Sequence, residues 1–257
     1  MTEALTTPTT RDEDWRYADA GTLASADPAL LTGWTDWALA PGEVRRESRV
    51  IGRDDAAIER LRIHVGKGAR LELAAVNAGG PYARLEAEVT LAEGAHFEFG
   101  GVTIGGDERV QEFVTRVIHA EPGASSNQTV RSVQWGRATG NFLGRIEVLR
   151  DAQKTDAAQN FRAILLEKGA AANTKPELEI FADDVKCAHG AAIGALDERA
   201  GFYMAARGIP PEAARKLLVQ AFVADAFVAL EDEETRERLL AETLAVLEGA
   251  GLEGAAL

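Results

Sequence analysis

The stretch Arg60-Leu-Arg-Ile-His-Val-Gly-Lys-Gly-Ala-Arg-Leu-Glu-Leu73, with Arg84-Leu-Glu-Ala-Glu-Val-Thr-Leu91 close behind it, decides the fold class. In the first, Leu61, Ile63 and Val65 alternate with Arg60, Arg62 and His64, and Leu71 and Leu73 take up the same rhythm. In the second, Leu85, Ala87, Val89 and Leu91 alternate with Arg84, Glu86, Glu88 and Thr90. A period of two describes strands with one buried and one wet face. Strand-like pieces recur at Phe97–Phe99, Gln111–His119, Thr129–Trp135, Phe142–Leu149, Asn160–Leu166 and Glu177–Phe181. Between them lie Gly-Ala turns at Gly68-Ala69, Gly94-Ala95, Gly123-Ala124 and Gly169-Ala170. Successive glycines are 26, 29 and 46 residues apart, the last close to two steps. Repeats of that size without helices suggest coils stacked along an axis, each burying the apolar face of its neighbour. An antiparallel sandwich or barrel shares the alternation and stays open on this pattern alone.

The flanks differ in character, giving an expected division into an N-terminal arm at 1–59, a strand core at 60–196 and a helical segment at 197–257. Residues 1–10 are Thr/Pro-rich and are expected to be disordered. Trp15, Tyr17, Trp34 and Trp37 cluster behind them and are expected to anchor an arm over the core. After residue 197 the apolar spacing becomes helical. Pro211 suits a first helical position, and Leu217, Leu218, Ala221 and Phe222 make one apolar face. Leu239, Leu240 and Leu244 make a second, narrower one, with Gly249 and Gly251 as stops. Such faces fold against each other and the strands, or dock another protein.

Composition removes several functions. Among 257 residues, 41 acids against 28 Lys and Arg give a net charge of −13, which repels phosphate backbones, so nucleic-acid binding is not expected. No apolar run is long enough to span a membrane, no secretory signal pattern opens the chain, and a cytoplasmic location is expected. One cysteine, Cys187, excludes an internal disulfide and any multi-cysteine metal cage supplied by this chain alone.

The histidines are His64, His96, His119 and His189, and no H-E-x-x-H, G-x-S-x-G or Walker pattern surrounds them. His64 and His119 read as surface histidines, the latter beside a turn. Gly94-Ala-His-Phe-Glu98 carries Glu98 where a cupin metal motif has a second histidine. Asp183-Asp184 reads as a turn. The sharpest feature is Asp183-Asp-Val-Lys-Cys-Ala-His-Gly190, in which Cys187 and His189 share one face of an extended segment. A thiol beside an imidazole binds soft or borderline metals, or has its pKa lowered. Two ligands do not complete a site, so further ones would come from a second chain or from exogenous sulfide.

The block Thr174-Lys-Pro-Glu-Leu-Glu-Ile-Phe-Ala-Asp-Asp-Val-Lys-Cys-Ala-His-Gly190 resembles the core of the SufB/SufD family of iron–sulfur cluster assembly proteins. So do Gly194, Phe202-Tyr-Met-Ala-Ala-Arg-Gly-Ile209 and the helix that follows. Glu13-Asp-Trp-Arg-Tyr17 is similar to the family's opening motif. Within the family, D-D-V-x-C-x-H-G resembles the SufD branch; the SufB branch tends to place carboxylates around the histidine. The resemblance implies a right-handed parallel β-helix with helical flanks. It implies a non-enzymatic scaffold that pairs with a SufB-like paralogue, or with a second copy when alone, and docks a SufC-like ABC ATPase. It implies a transient iron–sulfur cluster at the subunit interface, with Cys187 and His189 as tentative metal ligands there. The ATPase dock is expected on Leu217, Leu218, Ala221, Phe222, Leu239, Leu240 and Leu244. Members are usually much longer, with a large helical N-terminal region. The one rival is a β-helix enzyme acting on acidic polysaccharide, which the negative charge disfavours.

Overall fold

A computed structural model describes residues 7–51 and 57–249. Of the segments read from sequence, residues 1–6 of the Thr/Pro-rich start and Gly251 lie outside the described residues. Twelve parallel strands are described: β1 Thr35–Leu39, β2 Val44–Ile51, β3 Ala57–Val65, β4 Arg70–Asn77, β5 Tyr82–Leu91, β6 His96–Gly105, β7 Val110–His119, β8 Ser125–Gln134, β9 Thr139–Val148, β10 Asp156–Leu165, β11 Ala171–Ile180 and β12 Lys186–Gly194. Odd strands form one sheet in the order β1-β3-β5-β7-β9-β11 and even strands the other, β12-β10-β8-β6-β4-β2. The chain alternates between the sheets, so each pair of strands is one coil of a parallel β-solenoid. This settles the choice between coils and an antiparallel sandwich.

The strands start at Thr35, a full coil before residue 60, so Trp37 belongs to the solenoid and not to an overlying arm. Coil length grows from 26 residues, where Val44 pairs with Arg70, to 32, where Thr139 pairs with Ala171. One corner turns through a residue of positive φ at Gly42, Gly68, Gly94 and Gly123, then at Lys154 (φ 64°). The Gly169 turn lies on the opposite corner, so the 46-residue interval spans different corners and is not two steps of one repeat.

Inward side chains stack in columns along the axis. The first coils are apolar: Leu61, Ile63, Leu71, Leu73, Leu85, Phe97, Phe99 and Phe113 form one buried cluster. Trp37 closes its N-terminal end, with the guanidinium groups of Arg45 and Arg49 at 4.6 and 5.1 Å from its ring. Outward side chains of the odd sheet pair between coils, as in Arg60–Glu86 (2.9 Å) and Arg145–Glu177 (3.1 Å).

His119 corrects the surface reading. It is an inward residue, fully buried, with its Nε2 2.9 Å from Ser126 Oγ. Burial, partly offset by a backbone hydrogen bond at Ala124, pushes it down to about 4. The unfolded chain therefore binds a proton that the folded chain refuses. The associated stability is complete above about pH 6.5 and is lost as pH falls towards 4, by about 3 kcal/mol. Chemical denaturation at pH 7 and pH 4.5 is expected to show this drop, reduced in His119→Gln.

The Trp15 motif clamps the outside of the odd sheet. Its 3₁₀ turn, Glu13–Trp15, puts the indole 3.8 Å from the Arg84 guanidinium. The Tyr17 carbonyl accepts from Asn141, and Glu13 pairs with Lys175. Helices α1 (Ala20–Ser25) and α2 (Pro28–Thr32), capped by Asp19 and Asp27, then lead into β1.

After β12 come α3 (Glu198–Ala205), α4 (Pro211–Ala224, with proline opening the helix) and α5 (Glu233–Gly249). Val219, Val223, Phe227, Leu230, Leu239 and Leu247 pack on Ala74, Val76, Val102, Ile104 and Val133 of the even sheet. Gly100 permits the close approach: a Cβ there would lie 2.4 Å from the Ala226 carbonyl oxygen.

Candidate functional site

Cys187 and His189 lie on β12, the edge strand of the even sheet. Their register partners are Ala157 and Gln159, both buried and inward-facing, so Cys187 and His189 continue inward columns. The face they share is therefore the one turned towards the solenoid axis. They are accessible because no described strand stacks on β12 or on β11, the edge of the other sheet. His189 is exposed, while Cys187 is half-buried against the small cluster of Ile146, Val148, Ala152, Ala157 and Ala182.

That environment decides the state of the thiol. Burial, followed by the negative charge of Asp156, pushes the Cys187 thiol up. This argues against the reading in which a neighbour lowers the thiol pKa and makes a reactive thiolate. Binding to a cation would instead have to displace the proton. Among the described residues no group of three or more His, Cys, Asp or Glu converges on one point. A single chain thus offers a thiol and an imidazole from one strand, fewer than the four ligands of a closed iron–sulfur or tetrahedral site.

The same end of the solenoid exposes apolar groups. Phe181 is 60% and Ile193 45% exposed, and Ile180, next to Phe181 in the chain, is exposed as well. Asp183-Asp184 forms the bend expected, and Asp184 pairs with Lys154 of the coil beneath. His64 is exposed, as read from its strand. His96 and Glu98 share the outer face of β6, with His96 Nδ1 2.8 Å from Ser125 Oγ and Nε2 3.5 Å from the Glu98 carboxylate.

The seven helical residues read as one dock are not equivalent. Leu239 is fully buried in the helix–sheet cluster, so its surface is already used and it is withdrawn from the dock. Leu240 and Phe222 pack partly against the same cluster, and Leu218 and Leu244 are half-buried. Leu217 (47%) and Ala221 are exposed on α4, Val228 beyond it on the same helical spacing is exposed too, and Phe202 and Tyr203 add exposed apolar surface that spacing alone did not single out. The relevant signal in α3 was the pair of adjacent aromatics, one of which, Tyr203, is stacked at 3.5 Å by Arg207.

The chain matches the family model described as SUF system FeS cluster assembly, SufBD core domain, over residues 46–222. It is 37% identical over 127 residues to the iron–sulfur cluster assembly protein SufD of Escherichia coli (strain K12), covering 49% of this chain and 30% of that protein. A SufBD family protein of Synechocystis sp. is 35% identical over 173 residues, or 67% of this chain and 38% of the relative. One from Mycobacterium bovis is 29% identical over 236 residues, or 88% and 56%. The chain therefore spans from 30% to 56% of the length of these relatives. The matched span runs from β2 through most of α4 and holds both strands of the exposed end, and the chain belongs to the SufBD family of iron–sulfur cluster assembly proteins.

Proposed function

We propose that this chain is a SufD-type, non-enzymatic scaffold subunit that supports assembly of a transient iron–sulfur cluster at the end of its solenoid. The observation that carries the reading is the uncovered last coil. β11 and β12 each leave one edge without a described partner strand, and Cys187, His189 and Ile193 stand on that coil. Exposed parallel edges are normally covered, because their backbone groups and apolar side chains invite pairing. A SufB-like paralogue presenting the same kind of edge would cover them and bring the ligands this chain lacks. Alone, two copies would meet about a two-fold axis with Cys187 and His189 repeated across it. ATP chemistry would belong to a SufC-like ABC ATPase docked on Leu217, Leu218, Ala221 and Phe222, with Leu240 and Leu244 at its margin.

Reconstitution tests both contacts. Purified chain mixed with a SufB-like protein and a SufC-like ATPase is expected to elute as one complex. Ile193→Asp is expected to abolish the contact with the paralogue and leave ATPase binding intact. Leu217→Asp is expected to weaken ATPase binding by tenfold or more with a stability change within about 0.5 kcal/mol. Truncation at Gly208 is the poorer test, because it would bare Val76, Val102 and Ile104 of the strand body. Retention of both partners by both variants would refute the assignment.

A further inference from the structure

The interior changes character along the axis. Inward residues of β4 and β6 are Leu71, Leu73, Phe97 and Phe99. The same columns then carry Ser126 and Gln128 in β8, Ala157 and Gln159 in β10, and Cys187 and His189 in β12. Gln128 and Gln159 are both buried. Gln159 Nε2 donates to the carbonyl oxygens of Gly144 (3.1 Å) and Glu177 (3.4 Å). Two carbonyl acceptors fix the orientation of that amide, so its Oε1 is the atom left without a protein partner. Gln128 Oε1 accepts the Thr115 hydroxyl at 2.6 Å, and Gln128 Nε2 has no protein partner. The two glutamines are register neighbours, about 4.8 Å apart along the axis. A Cβ on Gly144 would lie 2.1 Å from Gln159 Oε1, so the amide projects across the core into room that a glycine leaves on the opposite sheet.

We infer that the core holds a built water site between Gln128 and Gln159, and that Gln159 together with this water pins the terminal coil. An unsatisfied buried donor beside an unsatisfied buried acceptor is the setting in which proteins keep an ordered water. One water accepting from Gln128 Nε2 and donating to Gln159 Oε1 satisfies both. If the Gln128 amide is turned over, Thr115 can exchange roles and the water donates to both oxygens, so the site survives either orientation. Gln159 also reaches Glu177 of β11 through its amide nitrogen, while His189 of β12 pairs with it in register. Its side chain thus ties β11 to the strand on which β12 is stacked, and acts as a positioning residue for the terminal coil. The inference stands on core chemistry and holds whatever partner the chain has.

A crystal structure of the full chain at about 1.5 Å is expected to show a water within about 3.2 Å of Gln159 Oε1. In Gln159→Leu, amide hydrogen exchange is expected to quicken about tenfold in β11 and β12 and to stay unchanged in β3–β6. Should that variant fail to fold, the wild-type electron density decides alone. Density showing the two amides bonded directly with no water between them, or unchanged exchange of β11 and β12 in a folded Gln159→Leu, overturns the proposal.

Discussion

Arg84→Ala is expected to cost about 3–5 kcal/mol of folding stability, the largest effect of any single substitution outside the apolar core. Arg84 has no exposed side-chain surface. Its guanidinium reaches Glu112 at 3.1 Å, Glu86 at 2.9 Å and the Asp14 carbonyl oxygen at 2.8 Å, under the Trp15 ring. Tyr82 and Asn141 complete the shell of Glu112, at 2.7 and 3.1 Å. Burial alone would raise the Glu86 carboxyl, yet Arg84 and Arg60 hold it below the usual carboxylate range. Removing Arg84 strips Glu112 of its cation in a dry site, leaves Glu86 to Arg60 alone and cuts the arm's anchor at Asp14. Because the Glu86 pKa is depressed in the fold, its stabilisation is present above the unfolded value and fades as pH falls through the folded one. The Arg84→Ala deficit is therefore expected to be widest near neutral pH and to narrow on acidification, as the Glu86 carboxyl takes up its proton. Urea unfolding of wild type and variant at pH 7 and pH 3.5 measures both. A loss below about 1 kcal/mol at pH 7 would mean that the network is dispensable and that Trp15 packing alone holds the arm.

Much of the strand body was legible because its coils obey local rules. Leu85, Ala87, Val89 and Leu91 alternate with charged residues whose outward faces pair between coils, and glycine marks the first four turns of one corner. What escaped was written in other terms. β2 reads Val44-Arg-Arg-Glu-Ser-Arg-Val-Ile51, and its inward Arg45, Glu47 and Arg49 obscure the apolar alternation. They are tolerated at the solenoid end because they pair with one another and lie over Trp37. The fifth corner carries Lys154 at positive φ, which no glycine count can find. His119 looked like a turn residue because its burial depends on strands 28 and 29 residues away, Leu91 below and Val148 above. The helical faces were visible as faces, but their partners were not. Leu239 and Leu217 look alike in a periodic pattern, and only the even sheet's Val76, Ile104 and Val133 decide which one is used. The Cys187–His189 pair was legible from its spacing. Its direction was not, since alternation says that two residues share a face without saying which face.

His189→Ala is expected to reduce cluster yield in the reconstituted complex about tenfold or more while changing folding stability by less than about 1 kcal/mol. His189 is exposed, with only Gln159 below it in register, so its removal leaves no cavity. Cys187→Ser is expected to act in the same direction with a smaller effect on yield. Its stability cost should exceed that of His189→Ala, because Cys187 packs against Ala157, Ile146 and Val148 and a hydroxyl there loses apolar contact. The two variants thus separate ligand from packing roles: one side chain is nearly free of the fold and the other is half embedded in it. A purely structural role for the pair predicts the same order of stabilities, with Cys187→Ser the less stable and His189→Ala silent, but normal cluster yield per folded molecule in both, so the yield decides. Melting temperature and iron and sulfide content of the complex, measured on the same preparations, distinguish the outcomes. The isolated chain is expected to retain no stable cluster after desalting, since two donors from one strand leave a four-ligand shell half filled. Full cluster yield from His189→Ala would end the ligand assignment, and a stable cluster on the monomer would mean that the missing ligands are closer at hand than a second chain.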